Sequence, residues 1–421
     1  MPKGALPGFR DFYPQEFAER EFIVRTWRDV ARRFALVEYD GPPLEPLDLY
    51  TSKSGEEIVG QLYNFVDKGG REVALRPEMT PTLARMVAAR ANALRKPVRW
   101  FSVPQLFRYE RQQKGRLREH FQLNVDIVGE ADVTADAELL AVALEIVRAL
   151  GLTSNDVRAR ISDRQLLRAL LATLGVGDDQ APGVFAVIDK IERQPLDVSR
   201  QKLEALGLRA GAVDRIIGLT GRVSLDGLRA EYGEHPEVNA RLGDLARYFS
   251  CLDALGATPW VELDLKIVRG LAYYTGIVFE LFDAHGEFRA ICGGGRYDTL
   301  LNSLGGVDLP ALGFGMGDVV LGELLRHRGL MPTVLPGPDY WVVYADPGQL
   351  GDAMRLAQAL RHSGSSVEYA LRPQQLGRQL KAAASAGAPD AVIIRDDGTL
   401  ILKSLASGGE RTVRLSEGRL V

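Results

Sequence analysis

From residue 121 to residue 127 apolar and polar side chains alternate without a break. Phe121, Leu123, Val125 and Ile127 fall on one side of an extended chain, and Gln122, Asn124 and Asp126 on the other. This is the two-residue period of a strand with a core face and a polar face. Residues 106–111 alternate as well, putting Arg108 and Glu110 on one side, while residues 112–120 are rich in Arg, Lys and Gln around a single Gly. The pattern predicts two antiparallel strands joined by a basic loop.

Upstream, Phe22, Ile23, Trp27, Val30 and Phe34 recur at helical spacing and predict a long amphipathic helix over 17–34, stopped by Asp40-Gly41-Pro42-Pro43. A short strand over 73–75 runs into Glu78, with Thr80 and Pro81 opening a helix to about residue 94. A strand over 98–103 leads into the hairpin, and a helix over 134–150 follows it, ended by Gly151. Residues 161–248 are helical and charged. An Arg269-Gly270-Leu271 turn then precedes a β-rich run ending near Glu280, a strand from Ala290 ends in the glycine run 293–295, and a helix spans 319–328 after Gly313-Phe314-Gly315-Met316-Gly317. Residues 331–338, with three prolines and a glycine, read as a linker. Beyond it strands and helices alternate to residue 415, which predicts a small, largely parallel α/β domain.

Composition narrows the class. The chain has 421 residues, 46% hydrophobic and 25% charged, with a net charge of −3, two cysteines and five histidines. That is an ordinary globular profile with room for two or three domains, no disulfide framework and no metal cluster expected. The absence of an apolar run of about 18 residues leads us to expect a cytoplasmic protein with no membrane partner. The charge balance does not advertise nucleic-acid binding as a whole; any such partner is met by local patches such as Arg111, Lys114, Arg116 and Arg118.

The candidate chemistry lies on the hairpin and around residue 269. An anchored arginine and hydrogen-bonding side chains beneath a basic loop suit a phosphate-bearing, nucleotide-sized ligand, although a salt-bridged sheet face has the same pattern. Arg269 on a tight bend followed by Tyr273 and Tyr274 suits a flat polar side chain. Glu78, at a strand-to-helix junction, either reaches a ligand or only meets the helix dipole. Gly313 to Asp318 is not a dinucleotide fingerprint, because the third glycine falls on Asp318.

These stretches together resemble the class II aminoacyl-tRNA synthetases, and specifically the histidyl-tRNA synthetase family. FRYER, GRLRE and FQLNVDIVG resemble motif 2; LRPEMT, RGLAYY and GGGRYD resemble histidine-site signatures. The helix over 17–34 with Pro42 and Glu45 after it resembles motif 1, which builds a homodimer interface. The resemblance implies an α+β catalytic domain on an antiparallel sheet over 1–330, with a helical insertion over about 161–248. It further implies a linker at 331–338 and a C-terminal α/β domain over 339–421 like an anticodon-binding domain.

The reaction implied is activation of L-histidine by ATP, with Mg²⁺ on the phosphates, to histidyl-adenylate and pyrophosphate, followed by transfer to tRNA(His). Arg108 and Arg269 would flank the α-phosphate as catalytic cations. Glu78, Thr80, Gln122, Asp126, Tyr273, Tyr274 and Tyr297 would form the histidine pocket. Arg108, Glu110, Arg116, Arg118, Phe121 and Arg269 would engage ATP, and no protein metal site is implied.

Two positions depart from the family. RGLAYY carries Ala272 where an aspartate is usual, and motif 3 carries Val319-Val320 in place of the glutamate-arginine pair whose arginine covers the adenine and neutralises the γ-phosphate. Arg116 is the substitute cation expected from the sequence. An organellar and cyanobacterial-like branch of the family is similar to this chain in reading GFGxGD and REHxQ. The alternative function is a histidine-sensing regulatory subunit of an ATP phosphoribosyltransferase. The departures favour it and the domain after the linker disfavours it; RGLAYY disfavours a synthetase for another amino acid.

Overall fold

A computed structural model describes residues 4–51, 59–110, 115–268, 273–332 and 337–421. They cluster into two compact units, Met1–Met331 and Pro332–Val421. The first unit is organised on strands β1 (Val37–Glu38), β2 (Leu44–Pro46), β3 (Tyr63–Val66), β4 (Glu72–Leu75), β5 (Val98–Ser102), β6 (Gln105–Phe107) and β7 (Glu119–Val128). They are followed by β8 (Val157–Asp163), β9 (Val261–Leu263), β10 (Ile277–Asp283), β11 (Cys292–Arg296) and β12 (Ala311–Gly317). The main sheet runs β1-β5-β7-β12-β11-β10-β8-β9, with β6 on the end of β7, and its central pairings from β5 to β8 are antiparallel. Strands β2, β4 and β3 form a smaller antiparallel sheet.

Strict alternation in β7 decides which side of this sheet is dry. Leu123, Val125 and Ile127 enter one core with Trp27, Val30, Leu139 and Ile146, side chains of the helices Pro14–Arg33 and Val133–Ala149. A strand side chain points to the face opposite its neighbours', so His120, Gln122, Asn124 and Asp126 face away from those helices. The first helix forms close to where its apolar spacing predicts. Pro14 occupies its first position and needs no hydrogen-bond partner for a missing N–H.

Several boundaries move for physical reasons. The first hairpin strand stops at Phe107, short of Arg111, because the Arg108 N–H bonds the Arg118 carbonyl and the Tyr109 N–H turns to Gln61. The glycines of GGGRYD lie within β11, Cys292–Arg296, where the sequence reads them as the run that ends a strand from Ala290. A Cβ on Gly294 would come within 2.4 Å of Phe314 Cβ and 2.5 Å of the Gly313 carbonyl, so only glycine lets β11 and β12 close on each other. The helical stretch begins at Arg164, since Ile161 is in β8, and its last helix runs on to Ala254. Its inner helices hold a second core around Leu167, Val184, Leu203 and Ile216.

The buried arginine of the same signature is structural. Arg296, 8% exposed, pairs with Asp136 on the helix Val133–Ala149 and donates to the Glu130 carbonyl at 3.0 Å, locking β11 to the helical layer.

In the second unit, β13 (Tyr340–Tyr344), β14 (Val367–Tyr369), β15 (Asp390–Ile394), β16 (Leu400–Ser404) and β17 (Glu410–Val413) form a sheet in the order β14-β13-β15-β16-β17. Pairing is parallel among β14, β13 and β15 and antiparallel beyond, so the sheet is mixed where the sequence predicts a largely parallel one. The helices Leu350–His362 and Leu376–Ser385 supply the crossovers. Of the expected linker, residues 333–336 lie outside the described residues.

Gly294→Ala is expected to cost about 1–3 kcal/mol by forcing β11 and β12 apart. Denaturant unfolding monitored by circular dichroism reads this as a lower midpoint at unchanged slope.

Candidate active site

The polar face of the sheet carries a cleft of about 560 Å³ lined by Arg108, Glu110, Arg116, His120 and Gln122, by Glu280 and Gly293, and by Gly315, Val319 and Val320. Arg193 and Arg289 complete its charged lining. Beside it, the first residues of the helix Thr80–Arg90 and the end of β4 bring up Glu78.

Two close approaches make the floor. In the β7–β12 register Gly313 sits opposite Asp126 and Gly317 opposite Gln122. A Cβ at Gly313 would lie 2.1 Å from Asp126 Oδ1, and one at Gly315 would lie 2.5 Å from Gln122 Nε2. Both carboxylate and carboxamide lean across β12 into space that any larger residue would fill. Gln122 then donates to Asn124 Oδ1 at 2.8 Å, and His120 Nε2 lies 3.4 Å from Gln122 Oε1.

The polar atoms on this floor are held, and Asp126 is buried among them. Tyr297 donates its hydroxyl to the Asp126 carboxylate. Burial raises the Asp126 pKa to about 7 despite that bond. Tyr273 packs edge-on to Tyr297 at 5.8 Å and donates to Glu78 Oε2 at 3.4 Å. Glu78, Tyr273, Tyr297 and Asp126 thus form one chain of aromatic and carboxyl groups. His120 is driven the other way, its pKa pushed down to about 3 by burial and then by the Arg108 charge, so the imidazole is neutral at physiological pH.

Arg108 joins the two regions. Its Nε donates to the Pro77 carbonyl at 2.9 Å, next to Glu78, and its side chain lines the cleft. Glu110 meets Arg116 at 3.0 Å on the opposite side.

Of the residues expected from the sequence, Arg108, Glu110, Arg116 and Gln122 meet in the cleft, and Glu78, Asp126, Tyr273 and Tyr297 meet beside it. Thr80 is half-buried at the start of its helix. Tyr274 is 7% exposed and packs among Val278, Leu300 and Leu301, so it supports Tyr273 from the core. Arg269 lies outside the described residues, as do Arg111 and Lys114.

Two expectations are corrected. Phe121 has the wrong parity for the cleft: it shares the Leu123 side of β7, with its ring 6.1 Å from Phe12 and 4.5 Å from the Arg20 guanidinium. The position facing the nucleotide-sized cleft is His120. Arg118 stacks 4.1 Å over the Tyr109 ring and donates to the Glu110 carbonyl at 3.2 Å, against Gly8, so it fastens the N-terminal segment to the hairpin.

Arg193, Glu280, Arg289 and Tyr39 were not expected. Tyr39 stacks on Trp100 at 5.3 Å beside Asp126, and its buried hydroxyl has no hydrogen-bond partner among the described residues. The alternation of β10 and β11 places Glu280 and Gly293 opposite each other, the one signal that could have found Glu280. Arg193 comes from the helical stretch, and nothing local marks it.

Comparison with known proteins decides the family. Residues 8–317 match the sequence profile described as histidyl-tRNA synthetase. The chain belongs to the histidyl-tRNA synthetase family. It is 46% identical over 397 residues to the histidine–tRNA ligase of Opitutus terrae, covering 93% of this chain and 91% of that one. It is 41% identical over 414 residues to the chloroplastic/mitochondrial histidine–tRNA ligase of Arabidopsis thaliana, covering 97% and 85%. The crystal structure of histidyl-tRNA synthetase from Nostoc sp. PCC 7120 superposes with a TM-score of 0.84 at 25% identity, over 98% of this chain and 97% of that one. The class II fold expected from the motifs is therefore the fold found, and the aminoacyl-tRNA synthetase assignment stands. A protein of Bacillus halodurans described as an ATP phosphoribosyltransferase regulatory subunit/histidyl-tRNA synthetase shares the fold, with a TM-score of 0.76 at 23% identity over 93% of this chain and 98% of that one.

The raised Asp126 pKa gives a pH test. The folded state holds this proton up to about pH 7, whereas an unfolded aspartate releases it near pH 4, so folding loses stability as pH rises through that window. Asp126→Asn keeps an acceptor for the Tyr297 hydroxyl and removes the titration. Thermal melts should show the variant gaining on the parent protein between about pH 4 and 7 and levelling off above it.

Proposed function

We propose that this family member activates L-histidine with ATP to histidyl-adenylate and transfers the histidyl group to tRNA(His). The observation that carries the reading is the place of Arg108: tied to the Pro77 carbonyl beside Glu78, it borders both the cleft and the tyrosine–carboxyl cluster. A nucleotide in the cleft and an amino acid on the cluster then meet at one guanidinium. The histidine carboxylate attacks the α-phosphorus in line, pyrophosphate leaves, and Arg108 stabilises the charge that builds on the phosphoryl oxygens. Arg269 is assigned the opposite flank on the family resemblance.

Glu78 suits the α-ammonium group, and Asp126, with Tyr297 and Tyr273, suits an imidazole N–H. Thr80 and Gln122 are assigned to this pocket on the family resemblance. His120, neutral and on the cleft floor, offers a flat face to the base. Mg²⁺ bound with the phosphates would supply charge neutralisation there, and the cleft carboxylates Glu110 and Glu280 would face it.

The C-terminal unit is read as the anticodon-binding domain, with Arg372, Arg378, Lys381 and Arg395, all exposed, as phosphate contacts. Exposed Phe65 and Val66 on the small sheet support a homodimer. No helix among the described residues is long and apolar enough to cross a membrane, and a cytoplasmic setting accords with translation. The histidine-sensing regulatory reading rests on Val319-Val320 and a shared fold. Full-length ligase relatives at 41–46% identity weigh against it.

Purified protein should exchange pyrophosphate into ATP only when histidine is added, and should charge tRNA(His). Arg108→Ala should lower exchange by about 10²–10³ with an unchanged circular dichroism spectrum. Histidine binding without exchange or charging would support the regulatory reading in its place.

A further inference from the structure

The cleft gathers four positive charges from three separate stretches of chain. Arg108, Arg116, Arg193 and Arg289 line it against the carboxylates Glu110 and Glu280. Four cations less two anions leave a surplus of two. Arg108 and Arg116 belong to the hairpin, Arg289 precedes β11, and Arg193 ends a short 3-10 turn, Ile191–Arg193, of the helical insertion.

Arg289 occupies the neighbourhood of the altered motif 3. A Cβ placed on Gly115 would lie 3.2 Å from Val320 Cγ2 and 3.9 Å from Arg289 Cδ. Val320 and Arg289 therefore flank the same point of the basic loop, from the start of the helix Asp318–His327 and from across the cleft. The Arg289 guanidinium has a lowered pKa, from partial desolvation and then from the charges of Arg116 and Arg193, with Glu110 acting in the opposite direction. Crowded guanidinium groups repel one another, and a bound polyanion turns that repulsion into attraction. Arginine forks suit phosphate oxygens in particular.

We propose that Arg289, reinforced by Arg193, grips the outer phosphates of ATP and replaces the motif 3 arginine that this chain lacks at Val320. The inference rests on the nucleotide reading of the cleft given above. It assigns the substitution to a residue outside the three class II motifs, and it gives the helical insertion a side chain in the nucleotide site.

The test uses the full-length protein. Arg289 is exposed, so Arg289→Ala is expected to fold. It should lower kcat/KM for ATP in histidine-dependent exchange by about 10²–10³ and raise KM for pyrophosphate, while leaving KM for histidine within about twofold. Arg289→Lys should restore part of the loss. Val320→Arg placed in the Arg289→Ala background should restore more, because both side chains reach the same place. A non-hydrolysable histidyl-adenylate mimic, which has no outer phosphates, should bind parent and variant alike by calorimetry. Arg193→Ala should show the same pattern more weakly.

Unchanged ATP kinetics in Arg289→Ala, or equal loss of affinity for ATP and for the adenylate mimic, would overturn the proposal. Should the parent protein fail to exchange pyrophosphate at all, the activity reading falls. Titration of ATP into parent and Arg289→Ala then still decides the role of the arginine, since equal affinities reject it and a weaker variant upholds it.

Discussion

The close approach of β12 to β7 is the constraint on which this site depends. A strand that buries Leu123, Val125 and Ile127 must offer Gln122, Asn124 and Asp126 on its other face, and those groups need room to lean and hydrogen-bond. Gly313 and Gly315 give that room, with Asp126 and Gln122 atoms where their Cβ atoms would be. Glycine is costly within a strand, for its lost chain entropy and its missing contacts. Three more glycines stand in β11, of which Gly294 admits Phe314. The sheet gives up side-chain packing at its centre to hold a polar floor.

A floor of that kind is stable only if its polar atoms are satisfied. Asp126 receives the Tyr297 hydroxyl, Gln122 bonds Asn124, and Arg296 closes on Asp136 behind β11. Paying for burial in this way also separates two electrical environments. The cluster around Asp126 and Glu78 carries carboxyl groups, with the Asp126 proton held to about pH 7, while the neighbouring cleft carries a surplus of guanidinium charge, and burial followed by the Arg108 charge keeps His120 neutral there. Arg108 stands at the border, so a cationic amino group and an anionic phosphate each find an opposite charge on its own side.

What the sequence revealed follows from the range of its signals. Local periodicity set the helix Pro14–Arg33, both faces of β7 and the strand–helix alternation of the second unit within a few residues. The family resemblance brought Arg108, Glu110, Glu78, Asp126 and Tyr297 into view together, although only Asp126 sits within a strand and the others lie just beyond the ends of elements. Phe121 failed by parity: its own alternation with Gln122 already put it on the core side, and the resemblance gave it an ATP contact nonetheless. Arg118 failed because a loop arginine's direction depends on what it meets, here Tyr109 and the N-terminal segment. Arg193 and Arg289 were invisible, since their relevance comes only from tertiary convergence, and no periodic rule connects residue 193 to residue 320.

That convergence bears on why a valine is tolerated where the helix Asp318–His327 begins. An arginine at that start would be aimed by the helix itself, but its stem would have to leave the apolar layer, whereas Val320 packs against the main core. Moving the cation to residue 289 keeps the packing and transfers the charge to a segment between β10 and β11. A side chain there has more rotamer freedom to lose on binding, up to about 2 kcal/mol for an arginine. A polyanion in the cleft works in the other direction, because it attracts Arg289, Arg116 and Arg193 together. A cation at residue 289 thus joins Arg108, Arg116 and Arg193 on the lining of one cleft while Val320 stays with the core.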